Sequence, residues 1–119
     1  MTPDPDNLLT LDDKVIERLR QDMGEDAGMV IESYVESIDE ILSDIANSTL
    51  RTPGADLYRW AHTIKSSAAS IGAMRLAHLA AAMENACKNQ SRVDLASQLL
   101  DMQLEFQRVH DSLAEISRA

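Results

Sequence analysis

The chain has little with which to build a sheet or to cross-link itself. Aromatic residues make up 3% of the 119 positions, glycine occurs four times and proline three times. Strands draw on aromatic and β-branched residues, and the turns between them on glycine and proline, so an all-β architecture is excluded. A single cysteine, Cys87, excludes an internal disulfide framework. The N-terminal stretch MTPDPDN lacks the basic segment and apolar run of a secretory signal, and no apolar run reaches the roughly 18 residues that a membrane span needs. A cytoplasmic setting without membrane contact is expected. Basic residues are also scarce: 11 Lys and Arg stand against 20 Asp and Glu, a net charge of −9, which argues against a nucleic-acid partner.

What is present favours helices. Apolar residues account for 45% of the chain and are mostly Ala, Leu, Ile, Val and Met. The length suits one domain with one core. Charge is unevenly spread. Residues 1–48 carry 13 acids and 3 bases, residues 49–92 carry 2 acids and 6 bases, and residues 93–119 carry 5 acids and 2 bases, so only the middle third is basic.

Residues 1–9 read as a flexible leader or linker, with a domain over 10–119. Thr10 can cap a short helix over Leu11 to Met23, which Gly24 ends. Val30, Ile31, Tyr34, Ile38, Ile41, Leu42 and Ile45 then recur at spacings of three and four, predicting one amphipathic helix from Glu25 to about Ser48 with an acidic outer face. Thr52, Pro53 and Gly54 form a breaker before a third helix, about Asp56 to Ile71. Gly72 provides a left-handed stop, and a fourth helix follows from about Ala73 to Lys88, burying Leu76, Ala80, Met83 and Cys87. Ser91 can cap the last helix, whose stripe is Leu95, Leu99, Met102, Phe106, Val109, Leu113 and Ile116. Four long amphipathic helices on short connections predict an all-α fold, an antiparallel four-helix bundle with a short additional N-terminal helix covering one end, and a monomer.

The third helix carries the chemistry. Leu57, Trp60, Ala61, Ile64, Ala68 and Ile71 share one stripe, and at about 100° per residue His62 lies about 140° from it, facing outward. Around it stand Ser66, Ala69 and Ser70 in place of the long polar side chains usual on a solvated face, leaving a clearing that another protein can approach. An uncharged imidazole is a nucleophile through a ring nitrogen. A phosphoryl group accepted there adds about two negative charges. Lys65, at i+3, can reach them, and the Ser66 hydroxyl at i+4 can donate a further hydrogen bond. Counting outward from Gly72, His62 lies 10 residues before and Glu84 12 after, so antiparallel helices bring them to similar heights. Glu84 can then accept the Nδ1 proton and leave Nε2 as the nucleophile.

The run His62, Thr63, Ile64, Lys65, Ser66, Ser67, Ala68, Ala69, then Ile71, Gly72, Ala73, with Leu76, Met83 and Glu84, resembles the histidine-containing phosphotransfer (HPt) domain. That family has an H-x-L-K-G-S pattern, a Gly near +10 and a Glu or Gln near +22. The resemblance implies that His62 is phosphorylated, that Lys65 steadies the phosphoryl group and that Glu84 orients the ring. Ser66 departs from the family's frequent glycine, which keeps the site small but leaves less room for a docking backbone. The implied partners are response-regulator receiver domains, which bring their own magnesium ion, and a sensor or hybrid histidine kinase. Arg59, Lys65, Arg75 and Lys88 would form a basic face toward an acidic receiver. No glycine-rich nucleotide loop is present, so the expected role is that of a phosphoryl carrier without kinase machinery, cofactor or metal of its own.

Two other readings compete with this one. A metal-binding bundle needs Glu-x-x-His pairs, which are absent, and the three histidines fall on outer faces or flanks of separate helices, His78 and His110 reading as surface residues. The alternative to phosphotransfer is a helical-bundle adaptor that binds receiver or kinase domains without being phosphorylated.

Overall fold

The computed structural model describes residues 8–48, 54–89 and 94–118. Five α-helices follow in order: α1 (Asp13–Met23), α2 (Ala27–Asn47), α3 (Gly54–Ser70), α4 (Met74–Lys88) and α5 (Leu95–Arg118). Helices α2 to α5 each pack on the next, and α5 returns to α2, closing a four-helix bundle. The most extensive of these contacts is between α3 and α4. Their apolar stripes explain it. Leu57, Ala61, Ile64 and Ala68 on α3 and Leu76, Ala77, Ala80 and Met83 on α4 are all buried, and the alanines let the helices approach closely. Ile38, Leu42 and Ile45 of α2 and Leu95, Met102 and Val109 of α5 complete the core. Tyr34, Trp60 and Phe106 are half-buried and pack at its margin, as does Cys87, expected deeper inside.

The ends of the elements depart from expectation in small ways. Thr10 does not cap α1; Asp12 does, its carboxylate accepting from the Lys14 N–H at 3.0 Å. The second helix starts at Ala27 because a single 3-10 turn over Gly24–Asp26 links it to α1. Gly54, expected in the breaker, already belongs to α3. Thr52, Pro53 and the expected cap Ser91 lie outside the described residues.

The turn between α3 and α4 sets the geometry of everything that follows. Gly72 has φ +78°, its N–H bonds to the Ala69 carbonyl at 3.1 Å, and the Ala73 N–H reaches back to the Ala68 carbonyl at 2.8 Å. This is the paired closure that lets a helix end on a left-handed residue, with the apolar contact of Ala68 and Ala73, both fully buried, that accompanies it. The N-terminal segment is bolted to this turn. The Asp12 N–H donates to the Gly72 carbonyl at 2.8 Å, and the Arg75 N–H to the Leu9 carbonyl at 3.0 Å. Leu9, expected at the end of a leader, is tied to the turn through its carbonyl. A Cβ on Gly72 would lie 2.9 Å from the Asp12 carbonyl oxygen and 2.9 Å from Val15 Cβ.

One carboxylate is buried against the expectation for its type. Glu105, 2% exposed on α5, lies 3.8 Å from Nη1 of Arg75 on α4 and 3.4 Å from Nη1 of Arg108 one turn along. Arg75 is itself only 20% exposed. Removing it leaves the buried carboxylate, among the described residues, with the solvated Arg108 as its remaining cation, so Arg75→Ala is expected to destabilise the fold by about 1–3 kcal/mol. Urea unfolding checks this, and a change under half a kcal/mol would show the pair to be energetically idle.

Candidate functional site

His62 is held on the outer face of α3 by the burial of its neighbours Ala61 and Ile64, and its side chain is 53% exposed. The α3–α4 turn carries the chain back so that Glu84 of α4 faces it, Oε1 lying 3.4 Å from His62 Nδ1. The other carboxylate oxygen, Oε2, is 2.8 Å from Nζ of Lys65. Glu84 is 14% exposed and Lys65 36%. The Lys65 ammonium, with help from the His62 hydrogen bond, holds the Glu84 carboxyl below its ordinary acidity constant, outweighing burial, which acts the other way. Glu84 is therefore a carboxylate at neutral pH. As an acceptor beside Nδ1 it favours the tautomer with the proton there and the lone pair on Nε2.

The surroundings of the ring are open, as the small residues require. Ser66, Ala69 and Ser70 are exposed, and the Ser70 hydroxyl donates to the Ser66 carbonyl at 2.9 Å. Arg59 is exposed, its guanidinium paired with Asp56 one turn earlier on the same helix. Lys88 is exposed on the rim of an open groove of about 450 Å³, whose walls include Tyr58, Lys65, His78 and Glu84. Arg75 is not brought to this face: its guanidinium is turned to Glu105 on α5. Among the described residues, no three of the His, Cys, Asp and Glu side chains are grouped so as to hold a metal ion.

One residue of the site, Tyr58, has no place in the sequence reading. Tyr58, one turn before His62, is stacked on the imidazole with ring centroids 6.2 Å apart and planes 9° from parallel. An aromatic at i−4 of an exposed histidine on a helix is the signal that could have found it. Tyr58 lies nearly parallel beside the ring while Glu84 holds one edge, so Tyr58→Ala is expected to slow any reaction of the His62 imidazole about two- to ten-fold while Tyr58→Phe keeps the rate. Rapid-quench kinetics on the two variants would test this; equal rates for Ala and Phe would remove the ring from the account. His78, expected at the surface, differs from that expectation. Instead of standing on a bare surface it is half-buried along the groove.

The family model described as Hpt domain matches residues 29–119. The chain belongs to the Hpt domain family. Among solved structures, the crystal structure of histidine-containing phosphotransfer protein B from Pseudomonas aeruginosa PAO1 superposes with a TM-score of 0.86, covering 92% of this chain and 95% of that one. Sequence identity is 20%, so the likeness is one of fold. No curated protein matches the sequence significantly. Membership makes this Hpt domain a histidine phosphotransfer protein of phosphorelays, a carrier of phosphoryl groups. Among the described residues, no helix is long and apolar enough to cross a membrane.

Proposed function

We propose that His62 is the phosphoryl-accepting residue, loaded from the phosphorylated aspartate of a receiver domain and unloaded onto the aspartate of a response regulator. The observation that carries this reading is the asymmetric setting of the imidazole, with Nδ1 turned to Glu84 Oε1 at 3.4 Å and the side chain 53% exposed. In the transfer the Nε2 lone pair attacks phosphorus, an N–P bond forms, the O–P bond of the acyl phosphate breaks, and the aspartate leaves as a carboxylate. The proton on Nδ1 stays in place. The ring becomes cationic, and the Glu84 carboxylate against Nδ1 stabilises that charge.

The open ground formed by Ser66, Ala69 and Ser70 lets the partner's aspartate come within reach of Nε2. The exposed cations Arg59 and Lys88 flank it and suit an acidic receiver pocket, with the magnesium ion belonging to the partner. The test is incubation with phosphorylated receivers. Label that is stable to base and labile to acid supports the reading, and absence of label alongside retained receiver binding would establish the adaptor alternative.

A further inference from the structure

The geometry points to two alternative partners for Lys65: the Glu84 carboxylate while His62 is bare, and the phosphoryl oxygens once it is loaded, so that loading breaks the Lys65–Glu84 ion pair. This rests on the phosphotransfer reading above. Glu84 divides its oxygens between two side chains of α3, Oε1 to His62 Nδ1 at 3.4 Å and Oε2 to Lys65 Nζ at 2.8 Å. A single carboxylate thus orients the ring and occupies the cation. Nδ1 and Nε2 lie on opposite sides of the imidazole, so a phosphoryl group on Nε2 stands across the ring from Glu84. An ammonium seated on Oε2 is on the Nδ1 side.

Lys65 is free to change sides. Its side chain is 36% exposed, has a flexible four-carbon stem and ends in a compact charge with three donors. A phosphoryl group carries about twice the charge of the carboxylate that Lys65 would leave. Glu84 meanwhile keeps Nδ1–H, whose ring has become cationic, so it exchanges one positive neighbour for another. The consequence is that Glu84 lowers the benefit that Lys65 confers on the loaded state by the strength of the pair that must be broken. For a partly exposed ion pair that is about a two- to five-fold effect on an equilibrium constant.

Replacing Glu84 alone mixes this effect with loss of the Nδ1 acceptor, so a double-mutant cycle is needed. The equilibrium ratio of phosphorylated domain to phosphorylated receiver is measured for the unsubstituted chain, Lys65→Met, Glu84→Gln and the double variant. Lys65→Met is expected to lower the ratio in both backgrounds, with the loss about two- to five-fold greater when Glu84→Gln is present. Equal losses in the two backgrounds, or a smaller loss with Glu84→Gln, would overturn the exchange. A second readout needs no substitution: the Lys65 ammonium nitrogen and the Glu84 carboxyl carbon are expected to shift in NMR spectra on loading, and unchanged resonances would also overturn it. An unsubstituted chain that takes no label from any receiver would instead remove the phosphotransfer reading, and the exchange with it.

Discussion

His62→Gln is expected to bring phosphoryl uptake from receivers to background, a loss of at least about a thousand-fold, the scale on which deleting a covalent nucleophile acts. Glutamine is polar and of similar reach, and the position is half in solvent, so the fold should change in stability by no more than about half a kcal/mol. The amide nitrogen of glutamine has no available lone pair with which to attack phosphorus. Tyr58, Thr63, Ser66, Ser70 and His78 also carry nucleophilic groups on this face or its groove, and each would leave its own trace. Phosphoserine survives acid, whereas phosphohistidine does not. Acid-labile label persisting in His62→Gln would move the site to His78 or His110 and end the present assignment. A thermal melt matched to the unsubstituted chain is the control.

Gly72→Ala is expected to be the most damaging conservative substitution in the chain, and to damage the site through the fold. Two independent costs meet at that residue. Its φ of +78° is strained for a residue with a side chain, at about 1–2 kcal/mol. The new Cβ would also stand 2.9 Å from the Asp12 carbonyl and from Val15 Cβ, and such crowding costs about 1–3 kcal/mol. The expected loss is about 2–5 kcal/mol, a large part of the stability of a domain of this size. Relief would require α1 to withdraw, breaking the bond from Asp12 N–H to the Gly72 carbonyl at 2.8 Å. Because this turn sets α4 against α3, phosphoryl uptake at a temperature where the variant remains folded should fall as well. Denaturant unfolding measures the first effect, and a loss below 1 kcal/mol would show the turn to be more pliant than its geometry implies.

The helical period explains why so much of this protein could be read without coordinates. Leu57, Ala61, Ile64, Ala68 and Ile71 are buried along α3 as their spacing of four and three demands, and that burial turns His62 outward. The glycine at 72 marks the turn, and the similar counts on either side, 10 residues back to His62 and 12 on to Glu84, bring the two opposite each other. The errors lie where local pattern has no authority. Asp12 displaced Thr10 as the cap because both are competent and tertiary docking chose between them. Glu105 sits within an apolar stripe and reads as a flaw in it until Arg75 is seen to reach across from α4. Arg75 was for the same reason assigned to the open face, since a sequence shows a charge but not its partner. The i−4 spacing puts Tyr58 within reach of His62, but whether the rings stack depends on side-chain rotamers, which the spacing does not specify.

By itself, then, the order of residues determined that this chain forms a helical bundle, which face of α3 looks outward, and that an exposed histidine stands there among small neighbours. These follow from a repeat of 3.6 residues and from glycine's freedom at one turn, both local properties of the backbone. Only the tertiary structure decided which cation meets which carboxylate: Lys65 with Glu84, Arg75 with Glu105. Such pairings depend on how far long side chains extend between two packed helices, a matter of ångströms that hydrophobic periodicity leaves open and close packing settles.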